Sequence, residues 1–180
     1  MSEQIEVLHL VVERLDRAGF EYMLTGSMAL SLYATPRMTR DIDILIALVA
    51  GNVDTLVALF DKDFYVDSEA VLRAVNSRHM FNIIHEETVS KLGFIVRKET
   101  PYRIEEFSNR QRLRLGKREV WVVGPEDLVL SKLVWALDSE SERQLDDVRS
   151  VLEASEVDAE YLKRWAPELG VSELLERCRS

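Results

Sequence analysis

The sequence predicts an α/β (α+β) fold, with a strand-bearing half over residues 1–123 and a helical portion over 124–180 packed on it. Short apolar runs alternate with amphipathic stretches through the first half. After Gly124-Pro125 every apolar repeat has helical spacing. No Gly/Ser-rich segment divides the halves, so no flexible linker is expected at the junction.

The elements follow in order. Ile5, Leu8, Val12 and Leu15 recur at helical spacing and Gly19 stands where a helix should stop, which predicts a helix over 3–18. His9 has no partner at metal spacing and reads as a half-buried or solvated histidine. A strand follows over 20–25. Gly26-Ser27 leads into a short helix to about residue 33, ended by Thr35-Pro36, because a residue before proline avoids the helical region. Next comes a strand carrying Asp41 and Asp43. Gly51-Asn52 opens a helix whose buried stripe is Val53, Leu56, Val57 and Phe60. A short strand over 64–66 precedes a helix over 68–75 capped by Asp67 or Ser68. Two β-rich runs, 80–84 and 92–96, are linked as a hairpin through the polar residues 86–90. His79 and His85 bracket the first run without zinc-site spacing.

Thr100-Pro101 predicts a helix start, a capping threonine followed by proline at the first helical position, with an end near Asn109. Residues 111–115 and 118–123 predict a second hairpin, with Gly116-Lys117 at its turn. Arg110, Arg112 and Arg114 then share one strand face, either as a solvated surface or as an electropositive strip for a nucleotide tail or RNA end. A helix opening at Gly124-Pro125 turns Leu128, Leu130 or Ser131, Val134 and Leu137 inward. A second runs over 142–154 through Leu145, Val148, Val151 and Leu152. Two short helices over 158–179 break at Pro167 and Gly170. Trp135 and Trp165 are expected to anchor the helical portion to the sheet.

The chemistry concentrates in residues 22–47. An apolar strand runs into Gly26-Ser27, and a basic loop with Arg37 and Arg40 leads to Asp41-Ile42-Asp43. Side chains alternate along a strand, so Asp41 and Asp43 share one face while Ile42, Ile44 and Ile46 take the core. Two carboxylates so close repel unless a cation sits between them. Mg²⁺ suits such a pair, because it takes one or two carboxylates, keeps several waters and accepts phosphate oxygens. Gly26 allows close backbone approach to a ligand. Ser27 is expected to cap a helix starting near Met28, whose free N–H groups favour a phosphate. Arg40 adjoins Asp41 and is a candidate phosphate contact.

Gly-Ser followed by Asp-x-Asp, with apolar strands on both sides, resembles the nucleotidyltransferase superfamily of polymerase-β-like fold. Small bacterial nucleotidyltransferase-like proteins related to the AbiEii toxins are the nearest resemblance. It covers about residues 20–152 and implies a mixed sheet with flanking helices, a nucleoside triphosphate, and Asp41 and Asp43 as catalytic metal ligands. It also implies that Gly26, Ser27, Arg40, Lys91 and Lys132 bind the nucleotide. Lys132, after Pro125-Glu126-Asp127-Leu128, matches the family's phosphate-directed lysine; the alternative is a lysine whose stem covers apolar surface. Arg143 and Asp147 resemble the family's last motif, or form an intrahelical pair at i and i+4. One departure stands out. The family's third carboxylate follows a lysine on a neighbouring strand, and here Lys91-Leu92-Gly93 puts glycine at that position. Glu86 and Glu87 are the nearest other acids, in the preceding loop.

The net charge of −9 argues against a protein that coats nucleic acid non-specifically. The single cysteine, Cys178, excludes an intramolecular disulfide and fits a reducing, cytoplasmic setting. No signal peptide and no membrane span are expected. The leading expectation is therefore a Mg²⁺-dependent nucleotidyltransferase acting on a hydroxyl of RNA or protein. The resemblance adds a toxin–antitoxin or phage-defence setting. The alternatives are a nucleotide- or protein-binding member that has lost catalysis, which Gly93 favours, and a structural partner using its helical half as an interface. A partner protein or a homo-oligomer is compatible with each.

Overall fold

The computed structural model describes residues 3–36, 39 and 41–180. Its strands are β1 (Tyr22–Thr25), β2 (Ile42–Ile46), β3 (Phe64–Tyr65), β4 (Met80–His85), β5 (Ser90–Val96), β6 (Gln111–Leu115) and β7 (Arg118–Val122). Its helices are α1 (Glu3–Ala18), α2 (Gly26–Leu30), α3 (Val53–Phe60), α4 (Ser68–Ser77), α5 (Pro101–Ser108), α6 (Pro125–Ser139), α7 (Glu142–Ala154), α8 (Ala159–Glu168) and α9 (Ser172–Arg179). A 3-10 turn, Ala50–Asn52, leads into α3. No helix among the described residues is long and apolar enough to cross a membrane.

The strands form one mixed sheet in the order β3-β4-β5-β2-β1-β7-β6. β2 runs parallel to β5 and β1 parallel to β7, while β1 and β2 are antiparallel. The end of β1 and the beginnings of β2 and β5 therefore lie together at one end of the three central strands. Ile42, Ile44 and Ile46 are buried on one face with Leu92, Phe94 and Val96. Phe81 stacks on Phe94 there at 5.1 Å, and Phe60 meets Phe64 edge-on at 5.2 Å. Arg14 of α1 donates to both oxygens of Asp63, at 2.7 and 2.6 Å, and ties α1 to the loop before β3.

Most element ends follow local chemistry. Asp67 caps α4 by accepting from the N–H groups of Glu69 and Ala70. Thr100 precedes α5 without a side-chain cap bond, so Pro101 at the first turn carries that start. β1 begins at Tyr22, two residues later than expected, because Phe20 N–H still closes the end of α1 on Leu15 O. α2 ends at Leu30, with turn bonds from Leu32 and Tyr33 beyond it. Pro167 sits inside the last turn of α8, and Gly170, at φ 70°, makes the break before α9.

The helical portion centres on α6, which packs against α2, α7, α8 and α9. Residues 127–133 of α6 are all buried, so its inward surface is broader than one stripe. Leu137, expected inside, is 51% exposed. Of the two tryptophans expected to anchor the helices to the sheet, Trp165 is buried with its ring tilted 5.3 Å from that of Tyr102 on helix α5, and Trp135 is 49% exposed.

Candidate active site

The sheet register builds the site. Thr25 of β1 faces Asp43 of β2, Asp43 faces Gly93 of β5, and Gly93 faces Asn82 of β4. These four residues form one row across the sheet and share one face. Gly26 follows Thr25 with φ +65°, a conformation glycine adopts without penalty. A Cβ at Gly26 would collide with Asp43 Oδ2 and lie 3.0 Å from Asp43 Cβ. Glycine is thus needed here twice, for its backbone angle and for the close approach of the carboxylate. Ser27 lies in the first turn of α2, half-buried, and does not cap it; the helix begins at Gly26 with Thr25 at the cap position.

Asp43 is half-buried and Asp41, just before β2, is exposed. Burial, then the charge of Asp41, pushes the Asp43 carboxyl above the ordinary carboxylate range, while Lys132 and Lys91 pull it down. A cation at this pair would offset the first two effects, and a hard ion with one or two carboxylate ligands, such as Mg²⁺, fits the donor set. No group of three or more His, Cys, Asp or Glu side chains suited to a metal occurs among the described residues. Any ion here would therefore take its remaining ligands from water and substrate.

Lys132 reaches this face from α6. It is 4% exposed, which rules out a stem lying along the surface with its head in water. Its Nζ donates to Asp147 Oδ2 at 2.7 Å and to Gln144 Oε1 at 3.1 Å, both on α7. Asp147 therefore pairs across two helices rather than with Arg143, which is exposed. Lys91, two residues before Gly93, is exposed and acts on Asp43 through its charge. The structure thus gathers Gly26, Asp43 and Gly93 at the ends of the central strands, with Lys91 and Lys132 near enough to act on Asp43 through their charge. Arg37 and Arg40 lie outside the described residues.

Other candidates resolve differently. His9 Nε2 bonds Leu115 O at 2.7 Å, and His85 is buried against Phe64 with Nδ1 on Thr88. Glu86 and Glu87 sit in the turn after β4, away from the row at Gly93. The arginine strip is partly engaged: Arg110 pairs with Glu21, Arg110 and Arg112 lie over Trp121, and exposed Arg114 donates, among the described residues, only to Gly116 O at 3.4 Å. Sequence reasoning passed over Asn82. The alternation Met80, Asn82, Ile84 beside Lys91 and Gly93 was its only signal. It also passed over a buried polar cluster of Arg103, Glu106, Asp127 and Tyr161 on α5, α6 and α8. Arg103 and Glu106 stand three apart on α5, but the contacts of Glu106 with Ser131 of α6 and of Asp127 with Tyr161 of α8 exist only in three dimensions.

Residues 2–176 match a family model described as a nucleotidyltransferase of unknown function (DUF6036). No curated protein matches the chain in sequence. Among solved structures, ANT(2'')-Ia in complex with adenylyl-2''-tobramycin matches at TM-score 0.63 and 13% identity, over 94% of this chain and 98% of that one. An antigenic nucleotidyltransferase-like protein from Paracoccidioides brasiliensis matches at TM-score 0.60 and 15% identity, over 97% and 93%. The lincosamide antibiotic adenylyltransferase LnuA, bound to lincomycin, matches at TM-score 0.54 and 12% identity, over 84% and 98%. At these identities the likeness is one of fold.

Proposed function

Because the chain belongs to the nucleotidyltransferases of unknown function, DUF6036, we propose that it moves a nucleotidyl group from a nucleoside triphosphate to a hydroxyl on RNA or protein, with Mg²⁺ as cofactor. The observation that carries this reading is the packing of Gly26 directly on Asp43, in a row whose negative charge Lys132 and Lys91 partly offset. Asp41 and Asp43 would hold the metal, which supplies positive charge for the phosphates. Gly26, Ser27, Arg40, Lys91 and Lys132 would surround the triphosphate. Lys132, held by Asp147 and Gln144, presents a fixed positive charge rather than a mobile one. The acceptor oxygen bonds to the α-phosphorus, pyrophosphate departs, and the hydroxyl proton passes to solvent. Catalysis rests on positioning and on charge placed in advance.

A second reading, a member that binds nucleotide without transferring it, is favoured by Gly93. The register sets this residue beside Asp43, where the resembled family carries a third carboxylate. Thermal shift with each nucleoside triphosphate, with and without Mg²⁺, followed by labelled-nucleotide transfer to cellular RNA and protein, separates the two. A metal-dependent shift with transfer supports the first reading. A shift without transfer supports the second, and no shift removes both. The toxin–antitoxin or phage-defence setting rests on the AbiEii-like resemblance, and growth arrest on induced expression is its test.

A further inference from the structure

We propose that the amide oxygen of Asn82 takes the place left at Gly93, as a neutral acceptor that orients an O–H donor, water or acceptor hydroxyl, beside Asp43. The inference rests on the transferase reading of the site. Its basis is the row itself. A methyl group built on Gly93 would lie 3.1 Å from Asp43 Oδ1, 3.6 Å from Asn82 Oδ1 and 3.4 Å from Met80 Cε. The absent side chain is therefore bounded on one side by the carboxylate and on the other by the asparagine. Along the row Thr25 is buried, Asp43 half-buried and Asn82 exposed, and Met80 next to it is 41% exposed. The row opens to solvent on the β4 side, where an acceptor can enter. Glu86 and Glu87 lie beyond His85 and outside this row.

An amide oxygen accepts a hydrogen bond but does not take up a proton near neutral pH. Asn82 is thus a positioning residue, and the hydroxyl proton must leave for solvent. Asn82→Asp would put a third carboxylate on the row from β4 instead of β5.

The test uses the full chain and Mn²⁺ as the probe, followed by electron paramagnetic resonance with and without ATP. Asn82→Asp is expected to bind Mn²⁺ about tenfold tighter than the parent, because ligand charge sets affinity at oxygen sites. Val89→Asp adds the same charge in the nearby turn, outside the row, and is expected to match the parent. Asn82→Ala, at an exposed strand position, is expected to fold and to weaken Mn²⁺–ATP about tenfold, the lower end of the usual loss of an outer-shell partner. Unchanged affinity in Asn82→Asp, equal tightening in Val89→Asp, or unchanged Mn²⁺–ATP affinity in Asn82→Ala would overturn the role of Asn82. A parent that binds no Mn²⁺–ATP, beside an Asn82→Asp variant that gains Mn²⁺, overturns the transferase reading while keeping the geometry of the row.

Discussion

Two polar clusters hang from the same helix, and they are built in opposite ways. Ser131 and Lys132 are neighbours on α6 and serve different clusters. On one side, Ser131 Oγ donates to Glu106 Oε1 at 2.6 Å, and Arg103 Nη1 reaches both oxygens of Glu106 at 2.8 Å. Tyr161 Oη donates to Asp127 Oδ1 at 2.8 Å in the same region. These contacts tie α5 to α6 and α6 to α8. On the other side, Lys132 pairs with Asp147 of α7 and acts on Asp43 through its charge, while Asp41 and Lys91 stay exposed and Asp43 keeps a raised pKa. The first cluster links three helices through its own hydrogen bonds, even though burial pushes Asp127 within it up to about 7. The second sets a half-buried carboxylate beside an exposed one at the end of a central strand, where a ligand can complete it.

The comparison breaks first at its ion pairs. Lys132→Met removes the ammonium partner of a buried aspartate and is expected to cost about 3–5 kcal/mol by urea denaturation. A variant as stable as the parent would mean that Asp147 is solvated, and the bridge would lose its structural meaning. Arg103→Met leaves Glu106, 1% exposed, with the Ser131 hydroxyl alone. The expected loss is smaller, about 2–3 kcal/mol, because Arg103 itself is partly exposed. Unchanged Mg²⁺–nucleotide binding in the surviving folded fraction would sharpen the contrast between a structural cluster and a ligand-binding one.

The two clusters also differ in how far the sequence reveals them. Asp41 and Asp43 stand two apart, which suggests a shared face by period-two alternation, although β2 begins only at Ile42 and Asp41 precedes it. Likewise Lys91-Leu92-Gly93 is a local pattern, and its register beside Asp43 follows once both strands are recognised. The partner of Lys132 was not legible. Arg143 lies four residues before Asp147, the separation that intrahelical pairing favours, yet burial of α6 against α7 gave the aspartate to Lys132. Trp135 and Leu137 show the same limit. Leu137 belongs to the expected inward stripe, but the side of α6 buried at this level carries Leu133 and Ala136, which leaves Trp135 and Leu137 outward. Tyr161 and Asp127 are 34 residues apart and carry no motif, so only the docking of α8 brings them together.

A third prediction concerns pH. Burial pushes Asp127 up to about 7, against the lowering effect of the Tyr161 hydrogen bond, with the charge of Glu106 raising it further. The folded state then binds this proton more tightly than the unfolded chain. The resulting stabilisation is complete below the ordinary carboxylate pKa and is lost as pH rises through about 7. Asp127→Asn keeps an oxygen for Tyr161 and removes the titration. It is expected to stabilise the protein at pH 8 by about 1–2 kcal/mol and to flatten the stability profile between pH ~4 and ~7. Equal slopes in parent and variant over that window would place the titrating group elsewhere.

The smallest stability effect is expected at the residue with the largest functional one. Asp43 is held above the ordinary carboxylate range by burial and by Asp41. Its folded form therefore prefers the proton, and its contribution to stability fades as pH rises through the raised value. Asp43→Asn should give a small gain in thermal midpoint at pH 7 without metal, and none at a pH below the unfolded carboxylate pKa. The Gly26 contact is kept, because asparagine has nearly the same shape and the side-chain oxygen beside Gly26 can remain. With Mg²⁺ and a nucleoside triphosphate the order should reverse, since the parent gains stability from the bound ligand and the variant does not. A crossover of the two melting curves on adding Mg²⁺–nucleotide is the expected signature. Parallel shifts in parent and variant would move the metal away from Asp43 and leave the row a packing arrangement like the Asp127 cluster, rather than its opposite.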